Sequence, residues 1–110
     1  MTGKKDDSSK PRYDRLSFQA LGEFNRVHEF GDSKYEEGNW RLGLDVTRLA
    51  NAAIRHLTKL LDGQVVDEET GINHAAHAGV NCEMLVHYYI HAEEYKDYLV
   101  LPKRPRSKKK

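Results

Sequence analysis

The sequence predicts an all-α fold: a small helical bundle built on a long antiparallel helical hairpin and completed by oligomerisation. Three observations predict it. Apolar residues recur at helical spacing over three long stretches, and only Val65-Val66 reads as extended. Glycine and proline punctuate the chain between those stretches rather than within short alternating runs. With 110 residues the chain has one domain's worth of core, and small helical domains commonly gain more by pairing with copies of themselves.

Residues 1–15 are polar, charged and interrupted by Pro11, and are expected to be disordered. The first helix is expected near 17–30. Ser17 would cap it, Phe18, Leu21, Phe24, Val27 and His28 would form one face, and Gly31 would stop it. Residues 32–45, DSKYEEGNWRLGLD, form a loop in which Asp32 or Ser33 could cap a short turn over Lys34–Glu37. So many aromatic and charged side chains in one connector mark it as a functional loop. A second helix would run from Asp45 to about Asp62, with Val46, Leu49, Ala50, Ala53, Leu57, Leu60 and Leu61 on its apolar face and Gly63 beyond it. The third would start near Thr70–Ile72 and run past Tyr95. Pro102 ends any continuation. A connector of about eight residues makes the last two helices antiparallel.

Charge is segregated along the chain. Residues 16–102 hold seven Lys/Arg against fourteen Asp/Glu, a net −7, whereas 103–110 hold six basic groups and no acid. An acidic body argues against nucleic-acid binding by the fold, and leaves that role, if any, to the basic tail at 102–110. The domain proper is therefore expected at 16–101. The mean hydropathy of −0.80 and the lack of a long apolar run exclude a membrane span. A single cysteine, Cys82, excludes an internal disulfide and a cysteine zinc site, and a reducing cytoplasm is the simplest compartment.

The candidate chemistry lies in the hairpin. His74, His77 and Asn81 stand at i, i+3 and i+7, on one helical face. Folding the hairpin about its connector brings His56 level with about His77, and lets Asp67 curl over the His74 end. Imidazoles and a carboxylate converging between helices suit a divalent ion. The same groups could instead serve as hydrogen-bonded core residues, with Asp67 capping the following turn. Glu36 and Glu37, beside Lys34, Asn39 and Arg41, form a second carboxylate pair. Tyr35 and Trp40 could stack on a base or join the core, and Arg55 could clamp phosphate or form a surface ion pair. His28, His87 and His91 fit no second cluster. The chain has no P-loop, dinucleotide glycine pattern or nucleophile elbow.

The strings GDSKYEEGNWRLG and AAIRHLTKLLDGQVVDEETGINHAAHAGVN resemble the phage dATP/dGTP diphosphohydrolases, a family similar to the all-α, MazG-like nucleoside triphosphate pyrophosphatases. The shared pattern falls on Gly31, Lys34, Tyr35, Asn39, Trp40, Arg55, His56, Asp67, Thr70, Gly71, His74, His77 and Asn81, and the likeness covers residues 16–90. It implies hydrolysis of a purine deoxynucleoside triphosphate to the monophosphate and pyrophosphate. It also implies a divalent metal, Mg²⁺ or else Mn²⁺ or another transition metal, and a homo-oligomer, dimer or tetramer, in the phage host's cytoplasm. The MazG-like E-E-x-x-E and E-x-x-D metal motifs are incomplete here: Trp40 stands at the third Glu, and His74-x-x-His77 replaces the second motif. The expected roles are therefore catalysis by His56, Asp67 and His74, metal binding by Glu36, Glu37, Asp67 and His77, and substrate binding by Lys34, Tyr35, Asn39, Trp40, Arg41, Arg55 and Asn81. The competing class is a non-catalytic helical interaction module with a nucleic-acid-contacting tail. A His-Asp phosphohydrolase releasing tripolyphosphate or inorganic phosphate is a further rival.

Overall fold

A computed structural model describes residues 2–103, so most of the basic tail lies outside the described residues. The fold is all-α. Among the described residues the three helices are α1 (Phe18–Lys34), α2 (Val46–Leu61) and α3 (His74–Ile90). Single 3-10 turns lie at Tyr13–Arg15, Asn39–Leu42 and Lys96–Tyr98. Residues 2–16 are exposed.

Ser17 caps α1 as expected, its hydroxyl accepting from Ala20 N–H at 3.1 Å. The helix does not stop at Gly31 but continues one turn to Lys34. Gly31 lies within α1 and lacks the positive φ of a glycine stop, whereas Gly38, four residues past the helix, has φ 73°. Asp32 Oδ1 accepts from Gly38 N–H at 3.1 Å and so folds the loop back on the helix end.

Helix α2 begins after Asp45 and ends before Gly63, whose φ of 91° turns the chain away. The connector makes one isolated antiparallel bridge, Val66 to Asn73, the extended piece expected at Val65-Val66. Asn73 then caps α3 by accepting from Ala76 N–H. This places the start of α3 two to four residues later than the periodicity alone suggested. Its end at Ile90 is earlier than expected too. Tyr95 lies beyond the helix but is buried, because its ring stacks on Tyr88 at 4.4 Å.

Helix α3 is the hub. It packs against both α2 and α1. Val46, Leu49 and Ala53 of α2 and Ala76, Val80 and Tyr88 of α3 are buried, as are Ile72 and Tyr95, and Leu49, Tyr88 and Tyr95 pack as one core cluster with Trp40, Leu44 and Met84 against it. The α1–α3 approach is close because position 79 is glycine: a Cβ there would strike the Phe24 ring. On the outer face of α2, Ile54, Leu57 and Leu61 stay exposed at i, i+3 and i+7.

Candidate functional site

The hairpin brings four of the five expected hairpin residues into one polar cluster. His56 Nδ1 and His74 Nδ1 are hydrogen-bonded at 2.9 Å. The His56 ring stacks on His77 with centroids 4.6 Å apart and planes within 9°. The level matching of His56 with His77 was legible because antiparallel helices advance equally from their connector.

Thr70, which side-chain chemistry alone did not single out as a site residue, joins the cluster to the connector. A carboxylate only accepts, so the Thr70 hydroxyl donates to Asp67 Oδ2, at 2.8 Å. The Thr70 oxygen then accepts from His77 Nε2–H at 2.7 Å and from Ile72 N–H at 3.2 Å. This fixes His77 with its proton on Nε2. Asp67 also accepts from Thr70 N–H, the turn cap weighed from sequence, and lies 3.6 Å from His77 Nε2.

Burial disfavours charge on these rings. It pushes His56 down to about 4, helped by the nearby His77 and His74, and lowers His77 as well. Burial alone would raise Asp67, but the Thr70 hydrogen bonds and His77 outweigh it and hold the carboxyl below its usual range. At neutral pH His56 and His77 are therefore neutral imidazoles beside one carboxylate. His74 is only 1% exposed, so no substrate reaches it and it can act only by holding His56.

The donors do not fit a resident metal. Two nitrogens bound to one tetrahedral ion stand roughly 3.3 Å apart, given metal–nitrogen bonds of ~2.0–2.1 Å. The His56 and His74 nitrogens are closer than that and bonded to each other, and His77 Nε2 is held by Thr70. Among the described residues, no three or more His, Cys, Asp or Glu side chains are grouped to hold a metal ion. The set Glu36, Glu37, Asp67 and His77 is thus not gathered as expected. The physical reason is that Glu36 and Glu37 lie on the loop after α1, while Asp67 and His77 are tied together through Thr70.

A groove of about 560 Å³ opens between the loop after α1 and the exposed flank of α2, lined by none of the cluster residues. Tyr35, Asn39 and Arg55, all expected at the substrate, line it. So do Arg48 and Asn51, which sequence reasoning missed. The missed signal was periodicity: Arg48, Asn51, Ala52 and Arg55 stand at i, i+3, i+4 and i+7, one stripe of α2. His56 follows Ala52 by one turn, at the end of that stripe. Among the described residues no ion pair involves Arg48 or Arg55. Two unpaired guanidiniums on an acidic body make this groove suited to an anion.

The remaining expected residues are engaged elsewhere. Lys34 pairs with Glu69 at 3.2 Å, which raises its pKa and ties the end of α1 to the connector. Arg41 lies over the Trp40 ring, 4.6 Å from its centroid. Asn81 donates to the His77 carbonyl of its own helix at 2.9 Å. Trp40 is half-buried in an aromatic group with His28, His87 and Tyr88, so two of the histidines without an expected role brace it. Tyr88 donates its hydroxyl to the Trp40 carbonyl and accepts from Leu44 N–H. Tyr95 donates to the Arg41 carbonyl at 2.7 Å. Two α3-side tyrosines therefore fix the backbone of 40–44, the segment that follows Asn39 at the groove.

The model of the family described as dATP/dGTP diphosphohydrolase, N-terminal, matches residues 1–98. The chain belongs to that family. The dATP/dGTP diphosphohydrolase of Salmonella phage PMBT28 is 40% identical over 78 residues, which cover 71% of this chain and 27% of that protein. The chain thus spans about a quarter of the length of the curated relative it matches. No solved structure matches the chain. Among the described residues, no helix is long and apolar enough to cross a membrane.

Proposed function

We propose that the groove between α2 and the Tyr35–Leu44 loop binds the triphosphate of dATP or dGTP, and that the site serves its hydrolysis to the monophosphate and pyrophosphate. The observation that carries this reading is the pair Arg48 and Arg55, two turns apart on one stripe of α2, facing a groove of about 560 Å³ without a carboxylate partner among the described residues. Guanidiniums match phosphate oxygens with paired N–H donors and are always charged. The relative's name supplies the substrate and reaction class. Kinship with the MazG-like pyrophosphatases is part of the same reading.

The geometry changes the roles expected from sequence. Lys34 and Arg41 are held by Glu69 and Trp40, so phosphate charge falls to Arg48 and Arg55. Asn39 and Asn51 orient the substrate by hydrogen bonds. A divalent cation, most simply Mg²⁺, enters with the triphosphate as part of the substrate. His56, uncharged at neutral pH, is the proton acceptor at the end of the stripe. When His56 donates Nδ1–H to His74, its Nε2 is left free to accept a proton. His74 then selects the tautomer, and Asp67–Thr70–His77 hold the stacked ring beneath it. Pairing with further copies, to cover Ile54, Leu57 and Leu61, is the oligomer this reading includes.

The test is titration of Mg²⁺ with dGTP or dATP by calorimetry, with pyrophosphate release followed in parallel. Each charge-assisted hydrogen bond is worth ~1.5–3 kcal/mol, so Arg48→Ala or Arg55→Ala should weaken binding roughly 10- to 100-fold. Unchanged affinity in the double variant, or no binding by the unaltered protein, overturns the reading. Binding of nucleic acid without nucleotide would instead favour the interaction module.

A further inference from the structure

A second hollow continues from the phosphate groove and has the opposite character. It is a slot of about 90 Å³ that shares Tyr35, Asn39 and Leu44 with the groove. Val27, Met84, Leu44 and Trp40 wall it with apolar surface, and Asp32 and Asn39 supply polar groups. His28, also at the slot, is held by Glu83 at 3.0 Å. A carboxylate repels phosphate, so the slot does not extend the anion site. It suits a flat, neutral group that presents N–H donors.

We propose that this slot takes the pyrimidine edge of the purine base, the rest of the base lying in the adjoining groove, and that Asp32 makes the site prefer guanine to adenine. This rests on the nucleotide reading above. The pyrimidine edge of guanine presents two adjacent donors, N1–H and the 2-amino group, followed by the O6 acceptor. A carboxylate is acceptor-only and can take both donors, while the Asn39 amide has a donor for O6. Adenine presents N1 as an acceptor and lacks the 2-amino group, so its edge meets the carboxylate with lone pairs opposed. A site whose polar groups are matched to one edge discriminates strongly, because the wrong base leaves them unpaired. Asp32 is also placed for this by the backbone. Its Oδ1 accepts from Gly38 N–H, which fixes the carboxylate at the slot.

The probes are the non-hydrolysable α,β-methylene analogues of dGTP, dITP and dATP, titrated with Mg²⁺ into the unaltered protein and into Asp32→Asn. The asparagine keeps an oxygen for Gly38 N–H but replaces the second acceptor with a donor. The unaltered protein should bind the analogues in the order dGTP, dITP, dATP. A matched pair of base hydrogen bonds is worth roughly 10- to 100-fold in discrimination, and Asp32→Asn should remove that much of the dGTP affinity while leaving dATP equal or tighter. Equal affinity for dGTP and dITP in the unaltered protein overturns the proposal without any variant. So does a variant that weakens all three analogues alike, because Asp32 would then act only on the loop. If none of the three binds the unaltered protein, the nucleotide reading itself fails, and that result is distinct from loss of discrimination.

Discussion

Acid should weaken the α2–α3 hairpin through His56. The His56 pKa falls from 6.5 to about 4 on folding, mainly because burial disfavours the charged ring. The unfolded chain therefore binds this proton more readily than the folded one. Stability is full above pH 6.5, falls as the pH drops through 6.5 towards 4, and loses nothing more to this group below 4. At 1.36 kcal/mol per unit the shift corresponds to roughly 3.4 kcal/mol. The ring is partly exposed, and solvent screening leaves about 2 kcal/mol. His77, also lowered by burial, acts in the same direction. Asp67, held below 3.8, loses its contribution only in stronger acid, outside this window. The assay is urea unfolding at a series of pH values between 7.5 and 4.5. With a urea slope of ~1–3 kcal/mol/M, the unaltered protein should lose about 0.7–2 M in midpoint across the range. His56→Gln removes the titration and should show a shallower decline. Parallel pH profiles for the two proteins would refute the burial argument for His56.

Other perturbations probe the rest of the scaffold. Thr70→Val removes the hydroxyl that joins Asp67, His77 and Ile72 N–H, leaving buried polar groups without partners, and should cost about 2–3 kcal/mol in urea unfolding, whereas Thr70→Ser should restore most of it. Gly79→Ala sets two effects against each other: alanine gains ~1 kcal/mol in helix propensity, and the clash with Phe24 costs ~1–3 kcal/mol. The clash should win, with net destabilisation, and the double variant Gly79→Ala/Phe24→Ala should recover the propensity gain relative to Phe24→Ala alone.

Much of the fold was legible because helix signals are local. The Ser17 cap and the Gly63 stop rest on a side chain and a glycine within a turn of the helix ends, and Asp45 is the N-cap residue of α2 without a side-chain cap hydrogen bond. Boundaries failed where tertiary contacts overrode that chemistry. Gly31 stays helical because nothing there requires a positive φ, and α3 waits for Asn73 because the Val66–Asn73 bridge closes a turn over residues 67–72 before the helix starts. In the candidate site, the meeting of His56 with His77 followed from helix arithmetic.

By itself the sequence determined the all-α class, the antiparallel hairpin, the family and the residue types available for phosphate and base. Only the tertiary structure decided which of them are free to act. Lys34, Arg41 and Arg55 look alike in sequence, yet Lys34 is paired with Glu69, which folding brings alongside it, Arg41 lies over the ring of its chain neighbour Trp40, and Arg55 faces the groove. Of the four polar residues His56, Asp67, His74 and His77, the sequence assigned Asp67 and His77 to a metal and His56, Asp67 and His74 to catalysis. Packing α2 against α3 ties them to one another and to Thr70 instead, because a buried polar group takes the nearest partner that satisfies it.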